Sequence, residues 1–156
     1  MPDSCVLDTN VVLDLLHFHD PSVAELYAAL TAGRLVCLGD DYTLGELARV
    51  LTYDELAIPA LRAEEILRAY HALIRHVPGS GSPVSLPLCR DPDDQPFLEL
   101  AARGKAGLLI SKDKKVLELA RSRRHTLPFD IIQVSGFRES EDRVQVSKPK
   151  PLPPSL

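Results

Sequence analysis

Tryptophan is absent from the 156 residues, and aromatic side chains make up only 5% of them. No apolar run approaches the roughly 20 residues that a bilayer-spanning helix needs. Cysteine is scarce. Cys5, Cys37 and Cys89 cannot all pair within one chain, and their spacing matches no C-x-x-C zinc pattern. Cys5 and Cys37 lie in apolar strand-like runs and read as small buried apolar residues. Cys89 stands beside Asp91 but has no neighbouring base to make it a nucleophile. Positive charge is not in excess either: 18 basic against 22 acidic side chains give −4, which argues against a general nucleic-acid coat protein. The start, Met1-Pro2-Asp3-Ser4, lacks the basic stretch of a secretory leader, so a cytoplasmic location is expected.

What is present is ordinary in amount and uneven in arrangement. Apolar residues are 45% of the chain and charged ones 26%, enough for one compact core. Short apolar runs at Ser4–Leu7, Leu35–Leu38, Gly107–Ile110 and Ile131–Val134 predict strands. Helical periodicity predicts helices from Val11 to Leu16, after Pro21 through Leu30, and over Thr43–Leu51, Ile58–Ile74, Asp94–Ala102 and Asp113–Ala120. Tyr27 and Tyr70 fall at core spacing in these helices. Pro78-Gly79-Ser80-Gly81-Ser82-Pro83 is a loop. Alternation of strands and helices implies parallel βαβ units, hence an α/β fold. A single domain is expected over residues 1–140. Residues 141–156 form a proline-rich tail, with Pro149, Pro151, Pro153 and Pro154, that is expected to be disordered or to dock on a partner as an arm.

Four carboxylates sit where a strand or loop passes into a helix: Asp8, Glu46, Asp94 and Asp113. Singly, each has a structural explanation. Thr43-x-x-Glu46 matches a capping box, and Asp8, Asp94 and Asp113 are placed to cap helices. Together they mean more. Loops at the carboxyl ends of parallel strands converge on one crevice, so these acids can share a site. Carboxylates crowded together repel one another unless cations sit among them, and an all-oxygen set favours Mg²⁺ or Mn²⁺ over zinc. Thr9, Asn10 and Ser111 accompany Asp8 and Asp113 as polar groups able to orient a carboxylate or a water. His17 and His19 are too close together at a helix end, with no further ligand, to make a metal site.

Leu7-Asp8-Thr9-Asn10-Val11-Val12-Leu13 resembles the opening strand and turn of PIN domains, and Glu46-Leu47-Ala48-Arg49-Val50-Leu51 their second acidic motif. Asp91-Pro92-Asp93-Asp94-Gln95-Pro96-Phe97-Leu98 resembles the third, and Gly107-Leu108-Leu109-Ile110-Ser111-Lys112-Asp113 the fourth. The resemblance runs in order over about residues 4 to 137. It is nearest to the subgroup described as toxins of toxin–antitoxin systems, the VapC-like ribonucleases. It implies a three-layer α/β/α sandwich with a central parallel sheet, and metal-dependent cleavage of single-stranded RNA. It implies catalytic roles for Asp8, Glu46, Asp94 and Asp113, with Asp8, Asp94 and Asp113 holding one or two Mg²⁺ or Mn²⁺ ions. Within the acidic run, Asp94 is preferred because Phe97, Leu98 and Ala101 follow it at helical spacing; Asp91 is the alternative ligand, and Asp93 remains open. Lys112 departs from the subgroup, which often has glycine there; it would hold a phosphate or compete with the metal.

Charge distribution bears on the substrate. Between Arg103 and Arg124 lie eight basic residues (Arg103, Lys105, Lys112, Lys114, Lys115, Arg121, Arg123, Arg124) and two acids, Asp113 and Glu118. This stretch, with Lys112, Lys114 and Lys115 nearest the acids, either guides an RNA backbone or is a solvated helix face with Lys114 and Glu118 paired. The shortage of aromatics predicts sparse base stacking. A cognate antitoxin and a homodimer are the expected protein partners, with Leu16, Phe18 and Tyr27 either on that surface or in the core. The contrasting function is a catalytically silent scaffold that binds RNA or protein. A phosphatase with Asp8 as nucleophile would need a second Asp where Asn10 stands, and the Asp91–Asp94 run lacks the glycine and glutamate of a calcium loop.

Overall fold

A computed structural model describes residues 3–121, 127–139 and 144–146. Five parallel strands form the central sheet in the order β3-β2-β1-β4-β5: β1 (Asp3–Leu7), β2 (Leu35–Gly39), β3 (Ile74–His76), β4 (Leu108–Ile110) and β5 (Asp130–Ile132). The helices are α1 (Thr9–Leu13), α2 (Ala24–Thr31), α3 (Asp41–Val50), α4 (Ala60–Leu73), α5 (Gln95–Arg103) and α6 (Lys114–Arg121). A π-helical turn, Asp14–Phe18, extends α1.

Alternation along the strands divides the core into two layers. Cys5 and Leu7 of β1, Leu35 and Cys37 of β2, Leu108 and Ile110 of β4, and Ile132 of β5 face one side. There they pack on α1 to α4 through Val12, Leu26, Leu47, Ile66 and Tyr70. Val6, Leu38, Leu109 and Ile131 face the other side and meet α5 and α6 through Phe97, Leu98, Leu100, Ala101, Val116 and Leu117. The three-layer α/β/α sandwich expected from the sequence is the observed architecture. Both cysteines expected to be buried, Cys5 and Cys37, are buried.

Sheet order places β1 at the centre. From it the chain winds out through β2 and β3, then returns to add β4 and β5 on the other side. The carboxyl ends of β1 and β4 therefore form the crevice where loops part in opposite directions, the usual ligand position in open α/β sheets. Asp8 follows β1, and Ser111 follows β4.

Several local expectations are corrected. The helix predicted to run to Ile74 ends at Leu73 and passes directly into β3, an edge strand with no turn residues before it. Helix α3 starts at Asp41, two residues before the expected Thr43. Its capping box is formed by Asp40, which accepts from the Thr43 N–H at 2.9 Å, and by Thr43, whose hydroxyl accepts from the Asp40 N–H at 3.0 Å. Thr43 thus takes the third-residue role rather than the capping role, and Glu46 is free of the cap. Asp40 is also ion-paired to Arg103 at 2.7 Å. Val134 lies in a short 3-10 turn rather than in β5. Tyr70 is core, but Tyr27 and Phe18 are exposed. A small antiparallel pair, β6 (Phe137–Glu139) with β7 (Val144–Val146), follows the sheet, so part of the expected tail is strand. Residues 147–156, and with them the tail prolines, lie outside the described residues, as do Arg123 and Arg124.

The long connection from β3 to α5 has no regular structure of its own. Side chains of α5 shape it. The Arg103 guanidinium donates to the Pro78 and Gly81 carbonyls at 3.0 and 2.8 Å. The Gln95 amide accepts from the Cys89 N–H at 2.7 Å and donates to the Pro87 carbonyl at 3.1 Å.

Candidate metal centre

Asp8 is the hub of the crevice. It caps α1, its Oδ1 accepting from the Val11 N–H at 3.0 Å. Its Oδ2 accepts from the Ser111 hydroxyl and from the Lys112 N–H, the latter at 3.0 Å. Ser111 is fully buried, and its hydroxyl oxygen accepts from the Asp113 N–H at 3.0 Å. One chain of hydrogen bonds therefore ties the end of β1 to the end of β4 and to the start of α6. Burial pushes the Asp8 carboxyl up, while the Ser111, Val11 and Lys112 hydrogen bonds pull it down.

The other acids arrive from two loops. Asp113 caps the start of α6, accepting from the Lys115 N–H at 2.8 Å. Asp91 closes a turn by accepting from the Asp93 N–H at 3.0 Å. Asp94 stands at the N-cap position of α5 but makes no capping hydrogen bond, contrary to the structural role its position suggests. Its Oδ2 is buried and has no hydrogen-bond partner among the described residues. Asp91, Asp94 and Asp113 each bring one carboxylate oxygen within 4.8 Å of the others, among the described residues the single grouping of this kind. Burial first, then the nearby negative charge of Asp113, push the Asp94 carboxyl up from its ordinary 3.8 to about 7. The geometry thus joins Asp91 and Asp94 to Asp113, while Asp93 is exposed and offers its backbone carbonyl to the Tyr42 hydroxyl at 2.8 Å.

A cleft of about 580 Å³ opens over this cluster, lined among others by Asp8, Thr9, Asn10, Glu46, Asp94 and Asp113. Glu46 faces it from α3, outside the converging trio. Both its oxygens are held by Arg49, at 2.7 and 2.8 Å from Nη2. Three of the basic residues expected to guide a backbone, Arg103, Lys112 and Lys115, lie against acids. Lys112 reaches the buried Asp14 at 2.9 Å, away from the acids, and Lys115 lies 3.8 Å from Asp91. Glu118 pairs with Arg90 rather than with Lys114. Lys114 borders a second hollow beside Asp14, Asp20 and Lys112. Asp14 and Tyr42 carry no signal in the sequence. Their partners lie 98 and 51 residues away, so no local spacing points to them.

A buried carboxylate oxygen without a partner, beside two further carboxylates, fits a hard divalent cation: oxygen donors only, no thiolate or imidazole. Fold and site together define an α/β domain with a carboxylate cluster at the switch point of its parallel sheet. The family model for the PIN domain matches residues 4–115, which include all four predicted acids. The chain belongs to the PIN-domain family, whose members are typically metal-dependent nucleases. Among solved structures it is similar to one described as the PIN domain endonuclease Utp24, with a TM-score of 0.55 and 16% identity, covering 98% of this chain and 97% of that one. That likeness is one of fold. No curated protein matches the sequence. No helix among the described residues is long and apolar enough to cross a membrane.

Proposed function

We propose that this protein is a Mg²⁺- or Mn²⁺-dependent endoribonuclease that hydrolyses phosphodiester bonds of single-stranded RNA. The observation that carries this reading is the unpartnered, buried Asp94 Oδ2 within reach of Asp91 and Asp113. Asp91, Asp94 and Asp113 would hold the cation, and Asp8 would fix Asp113 through Ser111. A divalent cation there supplies Lewis acidity and offsets charge growing on the phosphoryl oxygens. Asp94, near pKa 7 without metal, would shed its proton as a cation joins the cluster, so metal affinity rises with pH. Thr9 and Asn10 border the same cleft and would orient water or phosphate.

The motif pattern of Asp8, Glu46, Asp94 and Asp113 further supports a cytoplasmic toxin of a type II toxin–antitoxin pair, acting as a homodimer and silenced by a cognate antitoxin. Exposed Phe18 and Tyr27 are candidate contacts for such partners.

The test is cleavage of labelled single-stranded RNA with Mn²⁺ or Mg²⁺ by wild type and Asp94→Asn, with Mn²⁺ binding followed by calorimetry. Metal-dependent cleavage lost in a folded Asp94→Asn protein supports the nuclease. Metal binding or RNA binding without cleavage makes the chain a silent scaffold instead.

A further inference from the structure

The cleft that would receive RNA is lined by Asp8, Glu46, Glu55, Asp94 and Asp113, and by itself repels a polyanion. Several of the cations expected to offset this are held by acids: Lys112 by Asp14, Arg103 by Asp40, and Lys115 near Asp91 of the cluster itself. A different cation, Arg49, contacts two of the residues that line the cleft, Glu46 and Tyr53. Arg49 uses Nε and Nη2 on the Glu46 carboxylate, and its Nη1 donates to no described residue. Its side chain is 54% exposed. The guanidinium carbon lies 5.8 Å from the centre of the Tyr53 ring. Tyr53, 40% exposed, lines the same cleft as Asp94 and Asp113, together with Val50 and Leu56.

Resting on the nuclease reading above, we infer that Arg49 and Tyr53 form the grip for single-stranded RNA beside the acids. The Arg49 guanidinium takes a backbone phosphate, and the exposed Tyr53 ring carries a base. Glu46 is the positioning residue that fixes the guanidinium against the ring. Spacing supports this. Glu46 and Arg49, three residues apart, share one face of α3, and Tyr53 follows in the turn just past the helix end at Val50. An ordered guanidinium with a free edge costs little further entropy when it meets a phosphate, and its fork matches phosphate oxygens. An exposed aromatic ring accepts any base, in keeping with a substrate that lacks a partner strand.

Binding of a fluorescein-labelled RNA oligonucleotide by anisotropy tests it, in the Asp94→Asn background so that the RNA stays whole. Adding Arg49→Ala should weaken binding roughly tenfold and lower the slope of log affinity against log salt by about 0.7, the value for one phosphate contact on a single strand. Adding Tyr53→Ala should also weaken binding roughly tenfold but leave the slope unchanged. Glu46→Ala should weaken binding when Arg49 is present and should not weaken it in Arg49→Ala. Unchanged affinity and slope in Arg49→Ala would overturn the inference. So would tighter binding on Glu46→Ala, the result if Glu46 merely repels RNA. Failure of the nuclease reading shows separately, as RNA binding by wild type with no cleavage. RNA cleavage by wild type with binding untouched by either Arg49 or Tyr53 substitution sinks the grip alone.

Discussion

Replacing Asp94 by Asn should make the metal-free protein more stable at neutral pH. In the folded chain this carboxyl is held at about 7, against 3.8 as its ordinary value. At 1.36 kcal/mol per pH unit, that gap sets an upper bound of about 4 kcal/mol. Asp94 is only half-buried and water screens its neighbours, so about 1–2 kcal/mol is the realistic gain. Below pH 3.8 the carboxyl is protonated in folded and unfolded chains alike, and charge contributes nothing to the comparison. As pH rises from there towards 7, the unfolded chain ionises while the folded one resists, and the cost to wild type grows; above about 7 it is complete. Thermal unfolding in EDTA at pH 4 and pH 8 measures this. The Asn variant should match wild type at pH 4 and exceed it at pH 8, a gain of roughly 3–6 °C in melting temperature. Saturating Mn²⁺ should reverse the order, since a ligand at a hundred times its dissociation constant adds about 2.7 kcal/mol to the protein that binds it. A stability difference that does not change with pH would refute the crowded-carboxylate account of the site.

Asp8→Asn should abolish RNA cleavage and also destabilise the fold by about 1–3 kcal/mol, because an amide NH₂ at Oδ2 would face the Lys112 N–H donor. Urea unfolding beside the cleavage assay checks this, and unchanged stability would contradict the hub role. Asp40→Ala removes the α3 cap and leaves the largely buried Arg103 with only its Pro78 and Gly81 carbonyl acceptors, a loss of about 3–5 kcal/mol. Thermal melting should fall by roughly 10 °C, and a fall below about 2 °C would show the pair to be dispensable.

The strands that position the site were legible because each is a short, continuous apolar run. Val6, Leu7, Leu109 and Ile110 are buried with neighbours on both faces, so no alternation blurs them. β3 was hidden because helical spacing continues into Ile74 and only three partly exposed residues form the strand. Gly39 is its one retrospective clue: a Cβ there would lie 2.5 Å from Ile74 Cδ1, so β2 needs glycine where β3 closes on it. The acids could be named from sequence but not sorted. Thr43-x-x-Glu46 spells a capping box, yet Asp40 comes first and captures Thr43. Asp94 spells a cap, yet its carboxylate turns inward to the cluster. In both places local chemistry offers two partners, and the tertiary neighbours decide between them. Lys112 illustrates the same point: nothing near it in sequence announces Asp14.

The grip of α5 on the loop before it has a practical side. Arg103 holds the loop at Pro78 and Gly81, and Gln95 holds it at Pro87 and Cys89. Asp91 and Asp94 lie beyond the second anchor, so they travel with the helix as one block. Between the anchors, Pro83, Val84 and Ser85 are exposed and bear no part of the site. The backbone can therefore be opened there to place new chain ends, a protease site or an inserted reporter, with both flanks still pinned to the same helix and the acids left in register.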